Sequence, residues 1–160
     1  MSKQPDLVSV SSIFDVRYGV NMELNALELD PDGINFVSRT ARNNGVSARV
    51  RRLPNIEPLS AGLLTVAGGG SVLETFVQPE PFYSGRDLYY LVPPLDMSLE
   101  EKLYYCMTIR ENRYRFNYGR QANRTLRDIK IPSRKSVPGW VHSSFTEAVD
   151  GWREKLLSLK

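Results

Sequence analysis

The sequence has 160 residues, of which 41% are hydrophobic and 24% charged, with a formal net charge of +3. That is enough chain for one soluble domain with a real hydrophobic core. A single cysteine (Cys106) and a single histidine (His142) exclude an internal disulfide, a thiolate cluster and a histidine metal site, and favour a reducing cytoplasm.

The N-terminal Met1-Ser2-Lys3-Gln4-Pro5-Asp6 lacks signal-peptide character, and no apolar run approaches the roughly 18 residues of a membrane span. Val8 to Val16 reads as a strand leading to a turn at Tyr18-Gly19, and Glu23 to Glu28 as a short helix or an edge element. Asp30-Pro31-Asp32-Gly33 is a turn signal, followed by a short strand over Ile34 to Ser38. Asn43-Asn44-Gly45 is the strongest tight-turn signal, because Asn and Gly accept positive φ at low cost. Val46 to Leu53 then alternates as a strand does, with Val46, Ala48 and Val50 on one face.

Leu63 to Ala67 reads as a buried strand, and Val72 to Val77 as another after Gly68-Gly69-Gly70-Ser71. Pro79 and Pro81 break the chain, and Leu88 to Val92 forms a further strand stopped by Pro93-Pro94. Ser98 to Glu101 has the capping-box pattern, opening a helix to about Tyr114 with Leu99, Leu103, Cys106 or Met107, and Arg110 at helical spacing. A short helix and a last strand fill Arg124 to Pro132, and Ser133 to Pro138 is linker-like. Ser144 to Glu147 is a second capping box, opening a helix with Phe145, Val149, Trp152, Leu156 and Leu159 on one face. That face either closes on the domain or docks a partner. The reading is an α+β fold, a core of many short strands (a distorted barrel or β-helix-like) with helices in the C-terminal half. It divides into a body over 1–135 and a linker with C-terminal helix over 136–160.

Charge is unevenly placed. Arg39, Arg42, Arg49, Arg51 and Arg52 form one basic block, and Arg110 to Lys135 a second, together holding 14 of the 21 basic residues and only 2 of the 18 acidic ones. Most are Arg, the side chain suited to bidentate contact with phosphate or guanine edges, so a polyanionic partner is expected.

Catalytic patterns are missing. Gly68-Gly69-Gly70-Ser71 lacks the Lys-Ser/Thr of a phosphate loop, and Val92-Pro93-Pro94-Leu95 lacks the first Asp or Asn and the last aromatic of a methyltransferase tetrapeptide. Asp87 with Glu100 and Lys102 is a faint nuclease pattern, and acids in a first helical turn are expected on capping grounds alone. The chain is read as a binding module, with no enzyme activity, metal or cofactor of its own.

Three blocks in order carry a family resemblance. They are Ile13 to Gly19 with Ile34 to Val46; Leu64 to Val72 with Phe76, Pro81-Phe82-Tyr83 and Asp87 to Leu91; and Tyr114 to Arg120 with Leu126 and Ile129 to Pro132. Together they resemble the target recognition domains of type I restriction–modification specificity subunits, and are similar to those of type IIG and BcgI-like enzymes. The resemblance covers about three-quarters of the chain and implies sequence-specific binding of double-stranded DNA for an adenine methyltransferase subunit that itself carries S-adenosylmethionine. A full specificity subunit has two such domains and long spacer helices, and one domain is present here. A homodimer of half-subunits, a stand-alone module and an excised domain all stay open.

Under this resemblance the DNA-contacting candidates are Arg39, Arg42, Asn43, Asn44, Arg51, Arg120, Arg124, Arg134 and Lys135. For Asn43 and Asn44 turn chemistry is an equal reading, and for Arg39 a structural ion pair. Phe145, Val149, Trp152 and Leu156 are the partner-docking candidates. The alternative is a protein-interaction module or decoy that docks on a methyltransferase with little DNA affinity. A third reading, single-stranded nucleic acid on Tyr104, Tyr105 and Tyr114, is poorer because helical spacing sends some of them into the core.

Overall fold

A computed structural model describes residues 3–115 and 125–159. The fold is α+β, and its described strands form three short sheets rather than one closed barrel.

The chain enters through β1 (Leu7–Ser9), which pairs antiparallel with β9 (Lys130–Pro132) and so ties the N-terminus to the end of the body. The continuous strand expected over Val8 to Val16 is broken by a single helical turn, α1 (Val10–Ile13), before β2 (Asp15–Tyr18). Val10 and Phe14 are both buried while Ser12 between them is exposed, a pattern that a helical turn satisfies and a strand, which would put all three on one face, does not. Ser12 also donates its hydroxyl to the Ser9 carbonyl at 2.6 Å, a local bond that competes with a ladder.

The central sheet is antiparallel, in the order β2, β8 (Leu88–Val92), β5 (Leu64–Ala67), β6 (Thr75–Val77). β5 is paired on both edges and buried at every residue, which is why it reads as an unbroken apolar run. β6 is shorter than expected. Leu73 takes φ of 61° and is fully buried, so the chain turns inward before the strand begins.

The second sheet runs β4 (Val46–Val50), β3 (Leu29–Val37), β7 (Phe82–Ser84), with β3 and β4 antiparallel and β3 and β7 parallel. Leu29 and Ile34 both register with Val50, so the Asp30-Pro31-Asp32-Gly33 turn is an excursion inside β3 rather than a boundary. Gly33 is required there, since a Cβ would stand 2.1 Å from the Val50 carbonyl oxygen. β7 was not expected as a strand. Its three residues are buried, and Tyr83 donates its hydroxyl to the Ile56 carbonyl and accepts from the Leu53 amide, both at 3.0 Å.

α2 (Leu99–Arg110) begins where its cap indicates, with the Ser98 hydroxyl accepting from the Glu101 amide at 3.2 Å. Its buried face differs from the expected one. Glu101, Tyr105, Cys106 and Ile109 face the core, while Leu99, Leu103 and Met107 are exposed. The Tyr105 ring meets Phe14 edge-on at 5.5 Å and its hydroxyl reaches the Pro132 carbonyl at 3.0 Å, contacts that fix the helix rotation. Burial pushes the Cys106 thiol up to about 12.

The Ser133–Pro138 stretch is held firmly to the body. Arg134 reaches Glu101 through Nε at 3.0 Å and Nη2 at 3.3 Å, and Asp96 through Nη1 at 2.9 Å, while the Ser133 amide donates to the Asp6 carbonyl at 2.7 Å. The Arg134 hydrogen bond holds Asp96 below the usual carboxylate range. α3 (Gly139–Leu157) starts five residues before its expected cap, with Pro138 at the cap position, and Ser144 lies inside it, bonded to the Val141 carbonyl at 3.0 Å.

Candidate nucleic-acid interface

Strand direction brings a set of loops to one end of the molecule. The ends of β2 and β5 lie beside the start of β8, through Tyr18 opposite Tyr89 and Ala67 opposite Leu88. The ends of β3 and β7 lie together, through Val37 opposite Ser84. The loops after these strands therefore meet, and backbone bonds stitch them: Gly19 amide to Leu88 carbonyl at 2.8 Å, Gly68 amide to Asp87 carbonyl at 2.7 Å, and Gly85 amide to Val37 carbonyl at 2.9 Å. Asn21, Asn43, Asn44, Leu73 and Asp87, the described non-glycine residues with positive φ, all lie in the loops that follow β2, β3, β5 and β7.

Arg39 and Asp87 are the charged pair at the centre of this end. The Arg39 guanidinium donates through Nη1 to Asp87 Oδ2 at 2.8 Å. The Tyr18 hydroxyl lies 3.3 Å from Asp87 Oδ1 and accepts from the Asp87 amide at 3.1 Å. The partner of Arg39 is thus Asp87, rather than an acid near the N-terminus. Gly70 lies against Arg39, where a Cβ would come within 3.3 Å of the Arg39 Cβ.

Arg42 is exposed, and among the described residues its side chain has no partner. Asn43 donates its side-chain amide to the Val46 carbonyl at 3.0 Å and Asn44 to the Val77 carbonyl at 2.9 Å, so both side-chain donors serve the turn. Gln78, buried beneath, donates to the Asn44 carbonyl at 3.0 Å and anchors the loop on β6.

The basic blocks of the sequence do not form one bare positive face. Arg49 pairs with Glu80, Arg51 with Glu28 and Arg52 with Glu57, at 2.9, 2.9 and 2.7 Å. Arg113 pairs with Glu74, and Arg86 with Glu23. The pairs of Arg49, Arg51, Arg52 and Arg86, exposed on both sides, are worth about 0–1 kcal/mol and exchange readily for a phosphate, whereas the Glu74 that holds Arg113 is only 10% exposed. Arg134 is held by two carboxylates at once, Glu101, only 10% exposed, on Nε and Nη2 and Asp96 on Nη1. That guanidinium is committed to the fold, and Arg134 stands apart from the loop end. Lys135 is exposed. Arg120 and Arg124 lie outside the described residues.

The faint nuclease pattern is not brought together. Asp87 precedes β8, whereas Glu100 and Lys102 follow its far end, and the Lys102 ammonium is bound to the Gly62 carbonyl at 3.0 Å. No group of three or more His, Cys, Asp or Glu among the described residues is placed to hold a metal. No described helix is long and apolar enough to cross a membrane.

The second exposed feature is α3. Phe145, Val149, Trp152 and Leu156 are 56%, 41%, 72% and 63% exposed, and only Val141 of this helix is buried. The apolar seam therefore does not close on the body. The signal missed in the sequence was Asp87 with Tyr18, two residues 69 apart whose meeting depends on the β2–β8 register.

The fold is shared with solved specificity subunits of type I restriction–modification systems, and the resemblance to target recognition domains stands. A curated relative, the BcgI specificity subunit of Heyndrickxia coagulans, described as belonging to a type II restriction enzyme, is 28% identical over 135 residues, covering 82% of this chain and 39% of that protein. The type I S subunit of M. genitalium shares the fold with a TM-score of 0.63 at 19% identity, over 99% of this chain and 43% of that one. The HsdS subunit of Thermoanaerobacter tengcongensis does so at 0.62 and 16%, over 100% of this chain and 40% of that one. A chain from a structure of type I R-M system assembly reaches 0.65 at 16% identity, over 100% of this chain and 41% of that one. The chain thus spans about two-fifths of the length of the relatives it matches. No family model matches it.

Proposed function

We propose that this chain is a target recognition domain that reads a short sequence in double-stranded DNA for a DNA adenine methyltransferase or restriction complex. The observation that carries this reading is the likeness to a restriction-enzyme specificity subunit over 82% of the chain. The loop end gives the reading a place to act, since it gathers Arg39, Arg42, Asn43 and Asn44 on a stitched, rigid platform. Phosphate contacts position such a domain, and side chains at base edges specify its target. The exposed pairs of Arg49, Arg51 and Arg52 can exchange a carboxylate for a phosphate as DNA approaches. The domain is a reader rather than a catalyst, and S-adenosylmethionine belongs to the partner methyltransferase. Residues 1–135 form the recognition body and 136–160 its linker and docking helix, with the bare α3 face the surface for that partner subunit. Selection from a randomised duplex pool at near-physiological salt tests the reading. Enrichment of a motif of about three to five base pairs is expected, and binding without enrichment contradicts it.

A second reading rests on α3. An apolar helix face this exposed also suits a module that docks on a methyltransferase with little DNA affinity of its own. A complex that survives high salt, from a chain that retains no duplex, would favour it.

A further inference from the structure

Arg39 is held differently from the arginines of β4 and from Arg134. Arg49, Arg51 and Arg52 project from β4 and the segment after it, each towards an acid that is itself at least half exposed. Arg134 has both edges of its guanidinium occupied by carboxylates. Arg39 is held through Nη1 alone, by an acid whose side chain is only 27% exposed; its own side chain is 39% exposed, and its other N–H groups have no partner among the described residues.

The acid that holds it is itself fixed three times over. Asp87 is clamped by the Tyr18 hydroxyl on both its amide and its carboxylate, its carbonyl accepts the Gly68 amide, and its backbone sits at φ of 49°. Tyr18 is in turn set edge-on against Tyr89 with ring centroids 5.0 Å apart. The Arg39 carbonyl accepts from the Ser71 amide, so the backbone of the arginine is tethered from the other side. A free arginine must lose most of its rotamer freedom to make a bidentate contact. One already oriented by a fixed carboxylate loses much less.

We infer that Tyr18, Asp87 and Arg39 form a relay that presents Arg39 to a guanine in the major groove, with Arg39 as the specificity-determining residue and Asp87 and Tyr18 as positioning residues. The chemistry selects guanine, because its O6 and N7 are adjacent acceptors matching two parallel guanidinium donors, whereas adenine offers a donor beside its acceptor. This inference rests on the recognition reading above and deepens it.

The test compares wild type with Arg39→Lys, Arg39→Ala and Asp87→Asn in selection from the same randomised duplex pool. Folding of each variant is checked by near-UV circular dichroism. The motif selected by the wild type is then remade with each guanine in turn replaced by 7-deazaguanine, which lacks the N7 acceptor. One guanine in the motif is expected to be sensitive in the wild type, weakening binding about tenfold or more. That same position is expected to become degenerate in the Arg39 and Asp87 variants while the other positions are kept. Arg39→Lys retains the charge, so its bulk affinity and salt slope should hold while the guanine preference falls, an outcome a purely structural role would not give.

If the wild type enriches no motif, the recognition reading fails and this inference fails with it. If it enriches a motif that Arg39→Lys and Asp87→Asn read unchanged, or one with no guanine sensitive to loss of N7, the inference alone is overturned.

Discussion

The loop end and the α3 face are both exposed, yet they are opposite in construction. At the loop end, short segments are cross-tied by backbone bonds, several residues sit at positive φ, and each charged or amide group described in its central pair has a named partner. Along α3, a regular helix carries Phe145, Val149, Trp152 and Leu156 largely exposed. Rigid polar detail suits a surface that must discriminate between nearly identical partners, because misplaced donors lose their bonds outright. A broad apolar stripe suits association, where buried area matters more than register. The difference separates reading from docking within one small chain.

Four experiments break or sharpen that comparison. The largest effect is expected at the anchor that holds the α3 side to the body. Arg134→Ala leaves Glu101 buried without its partner and should destabilise the chain by about 2–4 kcal/mol in urea unfolding. The second carboxylate on Arg134 has a pH signature. Asp96 is held below the usual carboxylate range in the folded chain, so its contribution is present above about pH 4 and lost as the pH falls below that. Wild type should therefore lose stability more steeply than Arg134→Ala between pH 4 and acid. Parallel acid-unfolding curves for the two would break the assignment.

A smaller effect is expected at the loop end. Gly45 has φ of 79°, and a Cβ there would lie 3.2 Å from Val37 Cγ1. Gly45→Ala should cost about 1–2 kcal/mol by thermal denaturation. No loss would mean that the Asn43-Asn44-Gly45 turn relaxes freely and the platform is less rigid than its bonds suggest.

Cys106 supplies a check on the α2 face. With its thiol pushed up to about 12 by burial, it should resist a thiol reagent in the native chain at pH 8 and react once the chain is unfolded in urea. Its raised value also means that stability is full below about pH 9 and declines as the pH climbs towards 12, more in wild type than in Cys106→Ala. Rapid native labelling would show that α2 is turned the other way.

The smallest effect is expected on α3. Trp152→Ser should change unfolding free energy by less than about 0.5 kcal/mol, since the side chain has no partner in the body to lose. A loss of 2 kcal/mol or more would show that the seam closes on the chain itself, and the contrast with the loop end would collapse.

How much of this was legible in the sequence depended on the range of the interactions. Local signals carried well. Leu88 to Val92 has the bounds expected, Ser98 caps α2, and Asn43-Asn44-Gly45 turns at positive φ. Features set by tertiary partners were lost. The apolar stripe Leu99-Leu103-Met107 is the more regular on α2, yet Tyr105 wins the core through Phe14 and Pro132, neither visible from the helix itself. β7 owes its place to a parallel pairing with β3, more than forty residues earlier. The arginine blocks looked bare because the acids that pair with Arg39, Arg49 and Arg51 lie 48, 31 and 23 residues away along the chain. Of the DNA-contacting candidates, Arg39, Arg42, Asn43 and Asn44 come together at one end, and Arg134 does not join them.

The most direct test of the central claim is a map of backbone amide chemical shifts as the chain is titrated with the duplex it selects. The account predicts shifts concentrated in residues 18–21, 38–45, 68–74 and 85–87, with α3 beyond Val141 unmoved. Shifts along Phe145 to Leu156 with a silent loop end would contradict it, and would make the helix, rather than the strand loops, the surface that meets DNA.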